Sequence, residues 1–336
     1  MPTEGVDLPS VCIAVPTYRR PDQLARLMEA LARETSCTLA PRCEVVIVDN
    51  DPSGGARALA SERAATFPVP LHYAGVRAPG LSVVRNFALA RAASAELDAL
   101  VMIDDDEIPE PGWLAELLRV AATSGADAVA GVVLPRFSEP PSRWILASRF
   151  FDPPRYADAT VLNECAAGNI LIRMAAVRRF GLAFDMTMNL AGGEDQLFTR
   201  QLSARGGRIV YAAHAVAYER IDPARATLRY LVQRSLRYGN TWTIGDRKIH
   251  RPGLRLALHG LKTAAALMFS RGILPLVPWT IARGRGGAAE ALGWVARGCG
   301  MLLGVAGIRV LEYARPSHSA EEKTRYRFNL GGLSER

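Results

Sequence analysis

The chain has 336 residues, 49% of them apolar, with 41 Lys and Arg against 33 Asp and Glu and a formal charge of +8. So much apolar content excludes disorder and suffices for one large α/β domain with an appendage, while the positive balance favours anionic partners such as nucleotides and acidic lipid headgroups. Aromatics are sparse and no RGG, zinc-finger or Arg-rich run occurs, which excludes a dedicated nucleic-acid binder.

The start, MPTEGVDLPS, is acidic and polar and carries no signal-peptide pattern. VCIAVPTY (11–18) and EVVIVDN (44–50) are short β-branched runs that predict buried strands. Between them PDQLARLMEALARE places Leu24, Leu27, Met28 and Leu31 on one helical face, with Pro21 suited to the first turn. This βαβ unit implies a doubly wound sheet. GLSVVRNFALARAAS (80–94) predicts a helix with Leu81, Val84, Ala88 and Leu89 inward. LDALVMI predicts a third strand, followed by a helix near 113–123, strands at AVAGVVL and GNILIR, a helix at EDQLFTRQLSARG and a last short strand at RIVYAA. The five cysteines, at 12, 37, 43, 165 and 299, have no metal-type spacing and suit a reducing cytoplasmic side.

LVMIDDDEIPEPGWL (100–114) runs an apolar strand straight into Asp104, Asp105, Asp106 and Glu107. In an open α/β sheet, ligands bind beyond the carboxyl ends of strands. Adjacent carboxylates repel, and a divalent ion with a taste for oxygen, Mg²⁺ or Mn²⁺, resolves the repulsion. A solvated acidic turn or a cap on the next helix is the alternative. The first strand ends in PTYRR rather than in GxGxxG, which removes the main support for hydride transfer. Asp49 ends the second strand, where it can accept hydrogen bonds from a base or ribose, and Arg85 and Asn86 near a helix start can meet phosphate oxygens.

CIAVPTYRR, VVIVDND, GLSVVRNFALA, MIDDDEIPEPGWL, AAGNILIR and GGEDQLFTRQL occur in the order found in family 2 glycosyltransferases, and over residues 10–215 the chain resembles that family. The resemblance implies a GT-A fold, a nucleotide-diphosphate sugar donor with UDP as the nucleotide, and inversion at the anomeric centre. It implies that Pro16, Thr17 and Arg19 line the nucleotide pocket, with Asp49 near the base; turn and packing is the other reading of Pro16. Asp104 and Asp106 fit the DxD positions, Asp106 as metal ligand and Asp104 on ribose or ion, while Asp105 fills the variable middle. Asp195 matches the catalytic base of the ED motif, with Glu194 orienting it; helix capping is the alternative. Asn169 would lie near the donor sugar, strand packing being the competing role. His214 stands where some related enzymes place a metal-ligating histidine, and is otherwise structural.

From about Pro223 the chain turns basic, apolar and Gly-rich, so residues 1–222 are expected to form the catalytic domain and 223–336 a helical extension. Its longest uncharged runs, 272–282 and 298–308, are too short to span a bilayer. With Arg255, Lys262, Arg271, Arg283 and Arg285 they predict helices lying on an anionic membrane at its cytoplasmic face; a packed subdomain and a true spanning segment are the alternatives. RSLRYGNTW and the tail resemble the exopolysaccharide branch that builds succinoglycan-type units on a polyprenyl diphosphate carrier, which implies a lipid-linked saccharide acceptor. Arg234 and Arg237, on one helix face, would suit the carrier diphosphate, a solvated or headgroup-facing stripe being the equal alternative. QRSLRYG departs from the QxxRW of processive synthases, which favours addition of a single sugar. A polyprenyl-phosphate sugar synthase, a soluble transferase and a non-catalytic nucleotide-sugar binder are the competing functions, and a homo-oligomer is left open.

Overall fold

The structure, a computed structural model, describes residues 9–37, 42–189, 191–250 and 253–311. β1 (Val11–Thr17), α1 (Pro21–Ser36) and β2 (Cys43–Asp49) open the chain, followed by α2 (Arg57–Ala64), β3 (Leu71–Gly75), α3 (Leu81–Ser94) and β4 (Ala99–Ile103). Next come β5 (Glu107–Pro109), α4 (Trp113–Ser124), β6 (Ala128–Phe137), α5 (Arg143–Ala147), β7 (Val161–Leu162), β8 (Asn169–Arg173) and α6 (Met174–Phe180). α7 (Glu194–Ala204), β9 (Ile209–Ile221), α8 (Leu228–Ile249), α9 (Leu254–Leu267), α10 (Leu274–Arg283) and α11 (Arg285–Val305) complete it. Among the described residues nine strands form one sheet in the order β3-β2-β1-β4-β8-β6-β9-β5, with β7 added to β9. β1 pairs in parallel with β2 and β4, and β2 with β3, whereas β8 runs antiparallel to both β4 and β6.

Strand alternation divides the core between the two sheet faces. Val11, Ile13 and Val15 of β1 pack with α1 and α4, while Cys12 and Ala14 pack with α3, α6 and α7. Leu24, Leu27, Met28 and Leu31 of α1 have no exposed surface, and each such side chain contributes roughly 1.5–3 kcal/mol by leaving water. Pro16 is buried in β1, just beyond the stretch that pairs with β4, so its missing N–H interrupts no ladder on that side. The buried face of α3 differs from the predicted one: Leu81 is only half-buried, and Ser82 and Arg85 join Val84, Ala88, Leu89 and Ala92 inside.

Two further differences bear on function. β9 is 13 residues long, and its inward residues change phase, Val210 and Ala212 facing the same cluster as Ala215 and Ala217. That slip is the mark of a bulge at residues 213–214. It throws His214 outward and turns the Ala213 N–H onto Asp158 at 3.0 Å. In the C-terminal region α9, a π-helical turn (Met268–Ile273) and α10 run on as one helix across Arg271, 30 residues from Leu254 to Arg283. By length and composition that helix is long and apolar enough to cross a membrane, which the uncharged runs alone are not.

The described residues fall into two compact units. The first holds residues up to Arg136, Pro153–Asn189 and Glu194–Arg220; the second holds Phe137–Asp152, Leu190–Gly193 and the residues from Ile221 onward. The second unit thus takes in two short segments that precede the predicted boundary at residue 222. Within it α8 and α11 meet at glycines: a Cβ at Gly239 would strike the Arg297 carbonyl, and one at Gly300 the Leu236 carbonyl. Asn240, fully buried, ties this contact by donating to the Gly300 and Ile308 carbonyls and accepting from the Val310 N–H.

Candidate active site

The carboxyl ends of β1, β2 and β4 converge with the start of α7 on a set of acids and two arginines. Asp104 and Glu194, 90 residues apart in the chain, are joined by Arg85 of α3, whose guanidinium lies 2.5 Å from Glu194 and 3.4 Å from Asp104. Arg85 and Glu194 are almost wholly buried, whereas the Asp104 side chain keeps 35% of its surface. Burial pushes Glu194 up to about 7 in spite of the Arg85 charge, with Asp195 and Asp104 adding to the rise. Burial likewise raises Asp104, Arg85 opposing and Asp106 and Asp195 assisting. Asp104, Asp106, Glu194 and Asp195 therefore share one electrostatic neighbourhood.

Asp195 is half-buried at the start of α7. One carboxylate oxygen accepts the Gln196 N–H at 2.7 Å, and the other takes only a long bond, 3.4 Å, from the Ala167 N–H. The carboxylate thus caps its own helix and still offers an oxygen with capacity to spare. Gly192 and Gly193, just ahead of the pair, both adopt φ of 78°, which lets the chain turn sharply into α7. The loop before β8 runs alongside: Thr199 of α7 accepts from the Cys165 N–H and donates to its carbonyl.

Arg20 and Asp105 enter the site unannounced by motif. Asp105 is the most buried of the acidic triplet; its carboxylate accepts from the Thr17 hydroxyl at 2.8 Å and from Arg20 Nη1 at 2.9 Å. The same Nη1 lies 3.0 Å from Asp106. Burial raises Asp105 to about 6, with Arg20 pulling the other way. Part of the signal is present in the chain: Pro21 starts α1, so the two arginines before it belong to the strand–helix turn. Arg19 takes a left-handed φ of 54°, which points it away toward Asp51 at 3.4 Å. Thr17, Arg19, Arg20, Pro21, Asp51, Gly55 and Ala56 line a cavity of about 230 Å³ beside the acids.

Several residues singled out from the chain are committed elsewhere. Asp49 is 1% exposed, and its carboxylate receives the Asp51 and Ala56 N–H groups and the Tyr73 hydroxyl. It shapes the 50–56 turn, so Asp51 is the acid that turn presents to the cavity. Asn86 exchanges hydrogen bonds with both backbone groups of Phe184, so it does not face a phosphate. Arg85 likewise meets carboxylates instead of phosphate oxygens. Asn169 is buried, accepting from the Trp113 indole and donating to the Val132 and Ala215 carbonyls, which leaves it no reach toward a sugar. Pro16 packs within β1 and lines no part of the cavity. His214 is exposed on the β9 bulge with Asp158 as its charged neighbour, which removes it from the Asp104–Asp106 centre. In the second unit Arg234 is held by the hydroxyls of Tyr230 and Tyr238.

Whether the acids suit a divalent cation rests on their donors. Among the described residues no three His, Cys, Asp or Glu side chains already form a ligand set. The available groups are nonetheless all carboxylate oxygens, and Glu107 Oε2 lies buried among them with no hydrogen-bond partner. Burial, then Asp104 and Asp106, drives Glu107 far above the usual carboxylate range. Surplus negative charge with unmet oxygens fits a hard cation that takes one or two carboxylates and fills its remaining positions with water and phosphate oxygens.

The family profile described as "Glycosyl transferase family 2" matches residues 12–181. The chain belongs to glycosyl transferase family 2. It is 32% identical over 278 residues to the succinoglycan biosynthesis protein ExoM of Rhizobium meliloti, covering 80% of this chain and 87% of that protein. Among solved structures, that of S. aureus TarS 1-349 in complex with UDP-GlcNAc aligns at TM-score 0.50 and 15% identity, over 84% of this chain and 90% of that one. GalNAc-T7 with UDP, GalNAc and Mn²⁺ aligns at 0.50 and 12% identity, over 70% of this chain and 51% of that one. This family 2 glycosyltransferase therefore has the GT-A fold that the six motifs imply, with a mixed central sheet and a helical C-terminal region.

Proposed function

We propose that this enzyme transfers one sugar, with inversion, from a UDP-sugar to a hydroxyl of a lipid-linked saccharide during exopolysaccharide synthesis. The observation that carries the reading is the Arg85 bridge, which gathers the end of β4 and the start of α7 around one centre. UDP is favoured by the ligands of TarS and GalNAc-T7, and the acceptor by the succinoglycan role of the relative from Rhizobium meliloti.

Asp195 acts as general base. Its less occupied oxygen takes the proton of the acceptor hydroxyl as that oxygen forms the new bond to the anomeric carbon, and the bond to the diphosphate breaks on the opposite face. Glu194, locked by Arg85, fixes the first turn of α7 and so aims Asp195. Thr17 and Arg20 hold the floor of the donor site through Asp105, and Arg19, Arg20 and Asp51 border the nucleotide. Asp104 and Asp106 would hold a Mg²⁺ or Mn²⁺ ion, which supplies Lewis-acid stabilisation of the departing diphosphate when bound. The exposed apolar side of α9 and α10 associates with the cytoplasmic membrane face, where a lipid-linked acceptor resides.

Asp195→Asn tests the central assignment. It is expected to keep UDP and Mn²⁺ binding by calorimetry while transfer falls about 10³-fold. Turnover within a few-fold of the parent enzyme would remove Asp195 from the role.

A further inference from the structure

Arg20 contacts two acids of the triplet at once, and its geometry is that of a substitute ion. One nitrogen, Nη1, lies 2.9 Å from Asp105 and 3.0 Å from Asp106, spanning two carboxylates that would otherwise repel. Among the described residues Nε and Nη2 have no protein partner, and the side chain, 47% exposed, forms part of the wall of the cavity it shares with Thr17 and Asp51. The backbone gives it freedom to turn: Arg20 directly precedes α1, after the left-handed Arg19, and no other side chain holds it. Arg85, the other arginine of the site, is buried and fastened at both ends, so it cannot make the same movement.

We propose that Arg20 is a resident counter-ion of the Asp105–Asp106 pair, which yields Asp106 to an incoming divalent cation and swings its guanidinium onto the diphosphate of the donor. The inference rests on the reading of Asp106 as a cation ligand. It adds a positioning residue that couples the two binding events: the cation frees the arginine, and the freed arginine strengthens the grip on the nucleotide. A guanidinium fork matches phosphate oxygens, and the Arg20 side chain already lines the cavity. A protein without this arginine would bind the bare cation more readily and the nucleotide less well, a pairing of effects that loss of a merely structural ion pair does not produce.

The experiment compares wild-type protein with Arg20→Gln and Arg20→Lys at pH 7.5, using Mn²⁺ alone and then UDP at saturating Mn²⁺, by calorimetry and by the loss of free-Mn²⁺ electron paramagnetic resonance signal. Removing one positive charge about 3 Å from the carboxylates is expected to tighten Mn²⁺ binding about tenfold in Arg20→Gln and to weaken UDP about tenfold, with Arg20→Lys close to wild type on Mn²⁺ and intermediate on UDP. Detectable Mn²⁺ binding in Arg20→Gln but not in wild type supports the proposal equally. Equal or weaker Mn²⁺ binding in Arg20→Gln, with wild type binding normally, overturns it and leaves the cation reading intact. No binding by any of the three, with or without UDP, overturns both.

Discussion

Three hydrogen bonds meet on the Asn169 amide: one from the Trp113 indole and two to the carbonyls of Val132 and Ala215. Asn169→Ala strands a buried donor and two buried acceptors, each costing about 1–3 kcal/mol. The melting temperature should fall by roughly 5–10 °C, while the donor KM of the folded fraction stays unchanged. A raised KM at constant stability would instead put Asn169 against the sugar. Asp49, Asn86 and Asn169 illustrate a common limit of reading a chain residue by residue. A strand end tells where a side chain begins, and the groups that claim its polar atoms include partners 24 to 98 residues away. Asp104, Asp106, Glu194 and Asp195 were legible because clustered charge at two separate strand and helix ends has few purely structural uses. Arg20 carries no such signal, because the left-handed turn at Arg19 decides which of two adjacent arginines faces the acids.

At the level of elements, β1, β2, β4 and α1 could be read from the chain because burial on both sides of a strand, or on one helical stripe, leaves an unbroken or periodic apolar pattern. β3 left no such pattern: it is an edge strand, its residues half-buried or exposed, and LHYAG lacks both alternation and an apolar run. β5, three residues hung on β9, is too short for any pattern. The start of α4 is not capped by an acid of the triplet, the alternative role for those carboxylates. Glu34 of α1 does that instead, accepting the Gly112 and Leu114 N–H groups at 3.0 and 3.1 Å. α9 and α10 press Gly260, Ala264 and Gly272 inward, and turn Leu258, Leu261, Phe269, Ile273, Val277 and Ile281 outward. No Asp or Glu occurs between Asp246 and Glu290, while eight Lys and Arg do. An apolar stripe flanked by cations alone suits an anionic bilayer. The full-length triple variant Phe269→Ser, Ile273→Ser, Val277→Ser should lose most flotation with anionic vesicles and keep its melting temperature. Undiminished flotation would mean that another surface makes the contact.

Across the whole molecule the acids of the site set how stability varies with pH. Asp105, at about 6, and Glu194, at about 7, are raised by burial above their unfolded values, and burial raises Glu107 in the same direction. The native state therefore binds protons that the unfolded chain has already released, so this contribution is full below about pH 4 and is lost as pH rises through 6 and 7. Asp98, held low chiefly by the Ser10 hydroxyl, works in the opposite sense only below its ordinary range. Without divalent ions the protein should melt at a higher temperature at pH 5.5 than at pH 8, and added Mn²⁺ should raise the pH 8 value more. A melting temperature that climbs steadily from pH 5.5 to 8 in chelator would contradict this. The mixed direction of the sheet has a separate outcome. Because β8 runs against β4, Asn169 stands opposite Ile103, and the Asp104 N–H reaches the carbonyl of Gly168. Residues that lead into β8, rather than those that leave it, thus border the carboxylates. A longer or shorter approach to β8 would therefore reshape the surroundings of Asp104 and Glu107 while leaving the acids themselves on their own strand end.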